Sequence, residues 1–311
     1  MAKILVTPRS LTAGGDPALG LLEEQGYELV FSPPGIQPTE SQLVELLPGC
    51  VGYLAGVETI SARVIDAAND LKAISRNGTG VDAIDLDACT RRGIRVLRAE
   101  GANARGVAEL TIGLLLDLAR RITLSDGSLD SGEWRRHKGS EIEGKVLGVV
   151  GCGRVGKLVA QLAIGMEMRV VGYDLYPDRA FDPGPRFRFV PLDELLREAD
   201  MVTLHCPPPP DGGPLIDAGA LGALRPGALL VNTARAELVD EQAVLDALNA
   251  GKLGGFATDV HRVEPPGKSP LIGSEDVVAT PHVGGYTRES VERVARVAVD
   301  NLLAALAEAG A

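Results

Sequence analysis

The chain has 311 residues, 45% of them apolar and 23% charged, with 31 Lys and Arg against 42 Asp and Glu for a net charge of −11. That length suits two globular domains, and so acidic a surface argues against nucleic acid or an anionic membrane as a partner. No apolar run approaches the ~18 residues of a membrane span, no signal peptide fits before Ile4, and four cysteines without CxxC or metal-like spacing suit a reducing cytoplasm and no bound metal.

Short apolar runs alternate with helical patterns over the first hundred residues. Strands are expected at 3–7, 27–31, 51–54, 72–75 and 94–97, with helices over 16–25, 39–47, 61–68 and 85–92 between them. Such alternation builds a small parallel α/β unit. An amphipathic pattern follows over 104–122, with Val107, Leu110, Leu114, Leu115 and Leu118 on one side. Its wide apolar stripe suits core packing or contact with a partner. Six more strands are expected near 146–150, 168–173, 200–204, 228–232, 254–258 and 276–279. The run Pro207-Pro208-Pro209-Pro210 is a rigid loop after one of them. A last helix over 286–309 follows the final strand and can return to the first unit. The expected organisation is therefore discontinuous: 1–99 with 284–311 around a continuous 100–283, hinged near 99 and 284, with a ligand cleft between the two parts.

Val149-Val150-Gly151-Cys152-Gly153-Arg154-Val155-Gly156 holds a GxGxxG, which 38 glycines would produce by chance about half a time. Its context is specific. A β-branched apolar run over 145–150 precedes it, and Val155, Leu158, Val159, Leu162 and Ala163 follow at helical spacing. A second apolar run ends on Asp174, 18 residues past Gly156, near the spacing of a ribose-binding carboxylate. Gly151 turns the chain, Gly153 admits a pyrophosphate and Gly156 packs helix on strand, while the helix N-terminus offers free amides and a positive dipole. The site is for a dinucleotide. Asp174, with no cation in Leu175-Tyr176-Pro177, favours NAD over NADP.

Downstream, Arg235, Glu264 and His282 each follow an apolar run that reads as a strand. Hydride transfer to a 2-oxo acid needs a held carboxylate, a polarised carbonyl and a proton for the new alkoxide. The guanidinium fork binds a carboxylate bidentately, and histidine exchanges protons near neutrality. A glutamate bonded to the imidazole would favour its charged form.

These residues lie in six motifs: Arg76-Asn77-Gly78-Thr79-Gly80-Val81-Asp82, Asn103-Ala104-Arg105-Gly106-Val107-Ala108-Glu109, the glycine loop, Val231-Asn232-Thr233-Ala234-Arg235, Asp259-Val260-His261-Arg262-Val263-Glu264-Pro265 and Thr280-Pro281-His282-Val283-Gly284-Gly285. Over about residues 50–290 the chain thereby resembles the D-isomer-specific 2-hydroxyacid dehydrogenase family, chiefly its phosphoglycerate dehydrogenase branch. The resemblance implies an α/β fold with two doubly wound parallel sheets. A Rossmann-type cofactor domain (100–283) is then inserted in a discontinuous flavodoxin-like substrate-binding domain (1–99 and 284–311). It also implies reversible reduction of a small D-2-oxo acid by NADH, with Arg235, Glu264 and His282 catalytic. Arg154, Val155, Pro207, Thr233, Ala234, Asp259 and Gly284 would join Gly151, Gly153, Gly156 and Asp174 around the cofactor. Arg76, Asn77, Gly78, Thr79 and Gly80 would face the substrate. A homodimer through the cofactor domain, with 104–122 contributing, and a short form without a regulatory domain complete the expectation.

Some residues keep two readings. Asp259 is a nicotinamide contact or a cap on the turn after its strand, and Asn77 to Val81 form an anion nest or a plain β–α turn. Glu109 is a family site residue or a structural one at its helix start. His205 is expected to bond backbone. The chain also departs from the family at Ala236, where glycine is usual, at His261, where an aromatic is usual, and at Pro207-Pro208-Pro209. Leu54-Ala55-Gly56-Val57-Glu58 stands where phosphoglycerate enzymes place an Arg-Ser pair, which argues for a substrate without phosphate. Arg105 and His261 are the residues able to compensate. 3-Phosphoglycerate or a phosphonate analogue is the alternative substrate. A formate-dehydrogenase-like activity is disfavoured by Glu264, and a non-catalytic NADH-binding corepressor or scaffold by the complete Arg–Glu–His set.

Overall fold

The first five apolar runs form parallel strands: β1 (Lys3–Val6), β2 (Glu28–Phe31), β3 (Cys50–Ala55), β4 (Ala73–Arg76) and β5 (Arg95–Arg98). A computed structural model describes residues 1–12 and 16–310 of the chain. Between the strands lie α1 (Pro17–Glu24), α2 (Glu40–Leu46), α3 (Ala62–Ala67) and α4 (Leu86–Arg91). Each begins on a side chain that accepts a free helical amide: Asp16, Thr39, Ser61 and Asp85. The order β2-β1-β3-β4-β5 reverses between β1 and β3, as a doubly wound sheet does.

The second sheet follows α5 (Ala104–Arg120) and α6 (Ile122–Asp130). Its elements are β6 (Val146–Val150), α7 (Arg154–Gly165), β7 (Arg169–Tyr173), β8 (Phe187–Phe189), α8 (Leu192–Glu198), β9 (Met201–Leu204), α9 (Ala218–Ala223), β10 (Ala228–Asn232), α10 (Glu241–Asn249), β11 (Leu253–Thr258) and β12 (Val277–Ala279). Seven parallel strands run in the order β12-β11-β10-β9-β6-β7-β8, a Rossmann arrangement whose reversal point lies between β6 and β9. The last helix, α11 (Arg288–Ala309), belongs to the first sheet. Val294, Ala298, Leu302 and Leu306 bury one side of it against that sheet, and Ser75 Oγ donates to Ala298 O at 2.7 Å. Gly52 permits this approach, since a Cβ there would lie 3.1 Å from Leu306.

The chain thus divides into two units, Met1–Asn103 with Thr287–Ala311 and Ala104–Tyr286. The division falls a few residues beyond the expected crossings at 99 and 284 because it follows helix starts, Ala104 of α5 and the α11 cap Thr287. Every expected strand and helix is present to within two residues. Unforeseen are β8, three residues long, and the helices α6, α8, α9 and α10. The apolar side of α5 is spent inside its own unit, where Ile112, Leu114, Leu115 and Leu118 pack with Val149, Val159 and Val231. Exposed apolar surface lies instead on Ile122 and Leu129 of α6 and on Trp134 beyond it. No helix among the described residues is long and apolar enough to cross a membrane.

Candidate active site

Pairing in the larger sheet makes lateral neighbours of Tyr173, Val150, Leu204, Asn232, Thr258 and Ala279, the last residues of β7, β6, β9, β10, β11 and β12. Asp174, Gly151, His205, Thr233, Asp259 and Thr280 each stand one residue beyond that row. Strands about 4.8 Å apart therefore deliver every sequence-predicted site segment of this unit to one edge of one sheet.

The glycine loop shows three uses of the same residue. Gly151 takes φ +91°, and a Cβ there would lie 2.6 Å from the Cys206 amide nitrogen. At Gly156 a Cβ would stand 2.0 Å from the Gly151 carbonyl oxygen. Gly153 is different, with no atom within 4 Å of a Cβ, so its exposed backbone is open to a ligand. Gly153 also precedes α7 without any side-chain cap, which leaves first-turn amides available beside exposed Arg154 and half-buried Val155. Asp174 is fixed next to this loop, accepting the Cys152 amide at 2.7 Å and the Tyr176 amide at 2.9 Å. The donor set and the open Gly153 fit a dinucleotide. Cys152 itself is a buried filler, its thiol pushed up to about 12 by burial and then by the charge of Asp174.

Arg235 is half-buried in a turn that Asn232 organises. The buried Asn232 side chain accepts the Ala234 amide at 3.0 Å and donates to the Arg235 carbonyl at 2.8 Å. Arg235 Nη1 donates to Ala234 O at 2.8 Å, and Thr233 Oγ1 lies 2.9 Å from Thr111 Oγ1 of α5. In the loops after the neighbouring strands β11 and β12, Glu264 and His282 meet: Nδ1 of His282 lies 2.8 and 3.0 Å from the two Glu264 oxygens. Both side chains are exposed, 53% for His282 and 42% for Glu264, and Nε2 of His282 has no hydrogen-bond partner among the described residues. The Glu264 carboxylate also accepts the His261 amide at 3.3 Å, and His261 Nε2 lies 3.0 Å from Thr280 O. The unusual His261 thus ties the Glu264 segment to the turn of His282.

His282 has φ +54°, a left-handed conformation that a non-glycine residue keeps only when its surroundings hold it. Asp259 supplies that hold. Its buried carboxylate accepts Thr280 Oγ1 at 2.6 Å, the Val283 amide at 2.7 Å and the Gly284 amide at 2.7 Å. Asp259 thereby caps the turn after its strand. Pro207 is exposed in the loop after β9, and Ala234 and Gly284 flank the Arg235 and His282 turns.

In the smaller unit the 77–81 loop offers less than its whole length. Asn77 and Gly78 spend their amides on Ala55 O and Arg76 O at 2.8 Å each, whereas those of Thr79, Gly80 and Val81 have no acceptor among the described residues. Arg76 Nη1 donates to Asn77 O at 2.9 Å, and Arg105 is paired with Glu109 at 2.5 Å. Glu58 is buried at the end of β3, its Oε1 accepting Thr7 Oγ1, the Tyr53 hydroxyl at 2.7 Å and the Gly56 amide at 2.9 Å. Burial, then the Glu58 charge, pushes the Tyr53 hydroxyl well above its usual range, so it stays a donor. Sequence reading missed the bracing roles of Asn232, Thr111, Thr280 and Glu58. Only Asn232, a polar residue closing an apolar run, carried a signal of its own.

A Rossmann unit with a glycine loop, and with Arg, Glu and His in the loops after three adjacent strands, defines a nicotinamide-dependent class of protein. The family model for the D-isomer specific 2-hydroxyacid dehydrogenase NAD binding domain matches residues 112–284. The chain belongs to that family, and this unit is its NAD-binding domain. D-3-phosphoglycerate dehydrogenase of Mycobacterium bovis is 39% identical over 275 residues, 87% of this chain and 52% of that one. The enzyme of the same name from Methanocaldococcus jannaschii is 37% identical over 310 residues, 97% of this chain and 57% of that one. The chain spans about half the length of such curated relatives. Among solved structures, a protein from Thermus thermophilus superposes with TM-score 0.88 at 38% identity, covering 98% of this chain and 97% of that one. A D-2-hydroxyisocaproate dehydrogenase gives 0.85 at 26% identity, covering 99% and 98%.

His205 corrects an expectation. Its main-chain amide bonds Val150 O at 2.7 Å, but both ring nitrogens are buried without a hydrogen-bond partner. Burial lowers the imidazole from the ordinary 6.5 to about 3. Folded His205 therefore stays neutral where the unfolded chain takes up a proton. Its contribution is intact above about pH 6.5 and is lost as pH falls toward 3. His205→Leu should flatten that part of the stability profile by a few kcal/mol, read as urea midpoints between those pH values. Parallel wild-type and variant profiles would show that the ring is not buried as described.

Proposed function

We propose that the protein is an NAD-dependent oxidoreductase interconverting a small D-2-hydroxy acid and its 2-oxo acid. The Glu264–His282 pair carries this reading, because a solvent-facing imidazole anchored through Nδ1 is a proton donor with a fixed direction. NADH would supply the hydride to the carbonyl carbon as that carbon's π electrons pass to oxygen. Arg235 would hold the substrate carboxylate with its fork, and His282 Nε2 would give the new alkoxide its proton. In the reverse direction the same nitrogen accepts the hydroxyl proton. Gly151, Gly153, Arg154, Val155 and Gly156 would hold the pyrophosphate and Asp174 the ribose, with Pro207, Thr233, Ala234 and Gly284 lining the cofactor and Asp259 acting through the turn it braces. The free amides of Thr79, Gly80 and Val81, with Arg76, Asn77 and Gly78, are the proposed substrate contacts of the smaller unit.

The substrate we favour is small, polar and unphosphorylated. A phosphate dianion takes several cationic or amide partners. The segment after β3 instead presents buried Glu58, while Arg105 is engaged by Glu109. The name shared by the curated relatives favours phosphoglycerate as the second reading. The protein is further proposed to be a homodimer in a reducing cytoplasm. Exposed Ile122, Leu129 and Trp134 support the first, and four free cysteines the second.

Arg235→Lys keeps the charge but loses the fork, so KM for the oxo acid should rise strongly and kcat fall. His282→Ala should lower kcat by about two to four orders of magnitude with NADH binding retained. Turnover surviving both changes would rule out the assigned roles. With Asp174 facing the ribose, kcat/KM for NADH should exceed that for NADPH by about tenfold or more; equal values would remove that role. Hydroxypyruvate and glyoxylate should be better substrates than phosphohydroxypyruvate, and a clear preference for the phosphorylated acid would install the second reading. Sedimentation at micromolar concentration should give a dimer, and a stable monomer would contradict it.

A further inference from the structure

Behind the segment that carries Glu264 lies a cavity of about 190 Å³ that the proposed chemistry leaves unused. One side is the turn after Arg235, through Ala236 and Val239, and the other is the stretch 260–263 that leads to Glu264. Arg235, Glu264 and His282 are not among its lining residues. Its buried lining is mostly apolar: Val239, Phe256, Val260 and Leu271 are each no more than 6% exposed, beside the polar Asn232 and Thr258. Two cations, Arg262 and Lys268, stand at its solvent-facing side against one acid, Glu241. Arg262 is held in place by Nη2 donating to Val239 O at 3.3 Å, and neither cation has an acidic partner among the described residues.

We propose that this cavity is a second ligand site, filled by a small monocarboxylate with a hydrocarbon or aromatic body. A largely apolar lining with two exposed cations at its edge matches a molecule with one charged end. Inorganic phosphate would gain nothing from Val239, Phe256 and Leu271. The walls belong to the turn that presents Arg235 and to the segment that presents Glu264, so an occupant braces one against the other. Its binding would therefore be coupled to that of the substrate, each altering the affinity of the other by the same factor.

The test uses the full chain and 4-fluorobenzoate, which has no oxo group to reduce, followed by fluorine NMR. Saturable binding in the millimolar range is expected, as suits so small a ligand. Arg262→Gln/Lys268→Gln should weaken it by about tenfold or more, whereas Arg235→Gln should leave it intact, and benzylamine, with the opposite charge, should not bind. Both surface changes are on exposed side chains and leave the core untouched. No binding, binding indifferent to the double change, or binding lost with Arg235 would each overturn the proposal. The measurement needs no turnover, so its failure would leave the hydride-transfer reading standing, and failure of that reading would leave this site standing.

Discussion

Parallel pairing is the constraint on which the larger unit depends. Six strands end on one hydrogen-bonded row, from Tyr173 through Val150, Leu204, Asn232 and Thr258 to Ala279. Because every strand points the same way, every following loop starts at the same edge. A one-residue slip of β11 against β10 would exchange its two faces, burying residues that now face the other way and misplacing Asp259. Backbone pairing thereby sets residues separated by tens of positions in sequence a few strand spacings apart.

Alignment to a row places a loop but does not fix its shape. That work falls to buried polar groups at the strand ends. Asn232 closes the Arg235 turn with one donor and one acceptor, and Asp259 closes the His282 turn with three bonds to its carboxylate. Each would be costly to bury unpartnered, by about 1–3 kcal/mol or more for a charged group. That cost is the reason they specify geometry: only the observed turns satisfy them. Asp259 also explains how His282 rests at φ +54°, since two successive amides, of Val283 and Gly284, must converge on one carboxylate.

Strand and helix positions, the glycine loop and the three catalytic candidates were readable because each rests on local periodicity or on a motif of fixed spacing. Side-chain partnerships were not. Nothing local in the sequence shows that Thr111 meets Thr233, or that Glu58 reaches Thr7, because those pairs exist only once strands and helices are packed. The α5 stripe shows the same limit from another side. Its width was visible, but whether it faced a partner or a core depended on α7 and the sheet beneath it. The 77–81 loop looked like a run of available amides until Ala55 and Arg76 were seen to take two of them.

The three glycines of the cofactor loop separate two demands that a motif merges. Gly151 and Gly156 are required by the protein itself, since a Cβ at either meets backbone at 2.6 or 2.0 Å. Gly153 meets nothing, and its φ of −74° is open to any residue. No internal contact accounts for glycine there. The uncapped amides of α7 beside it make that open backbone locally positive. The crowded pair is thus set by the fold, and the open one leaves the approach to those amides clear for the phosphates of the NAD that this domain binds.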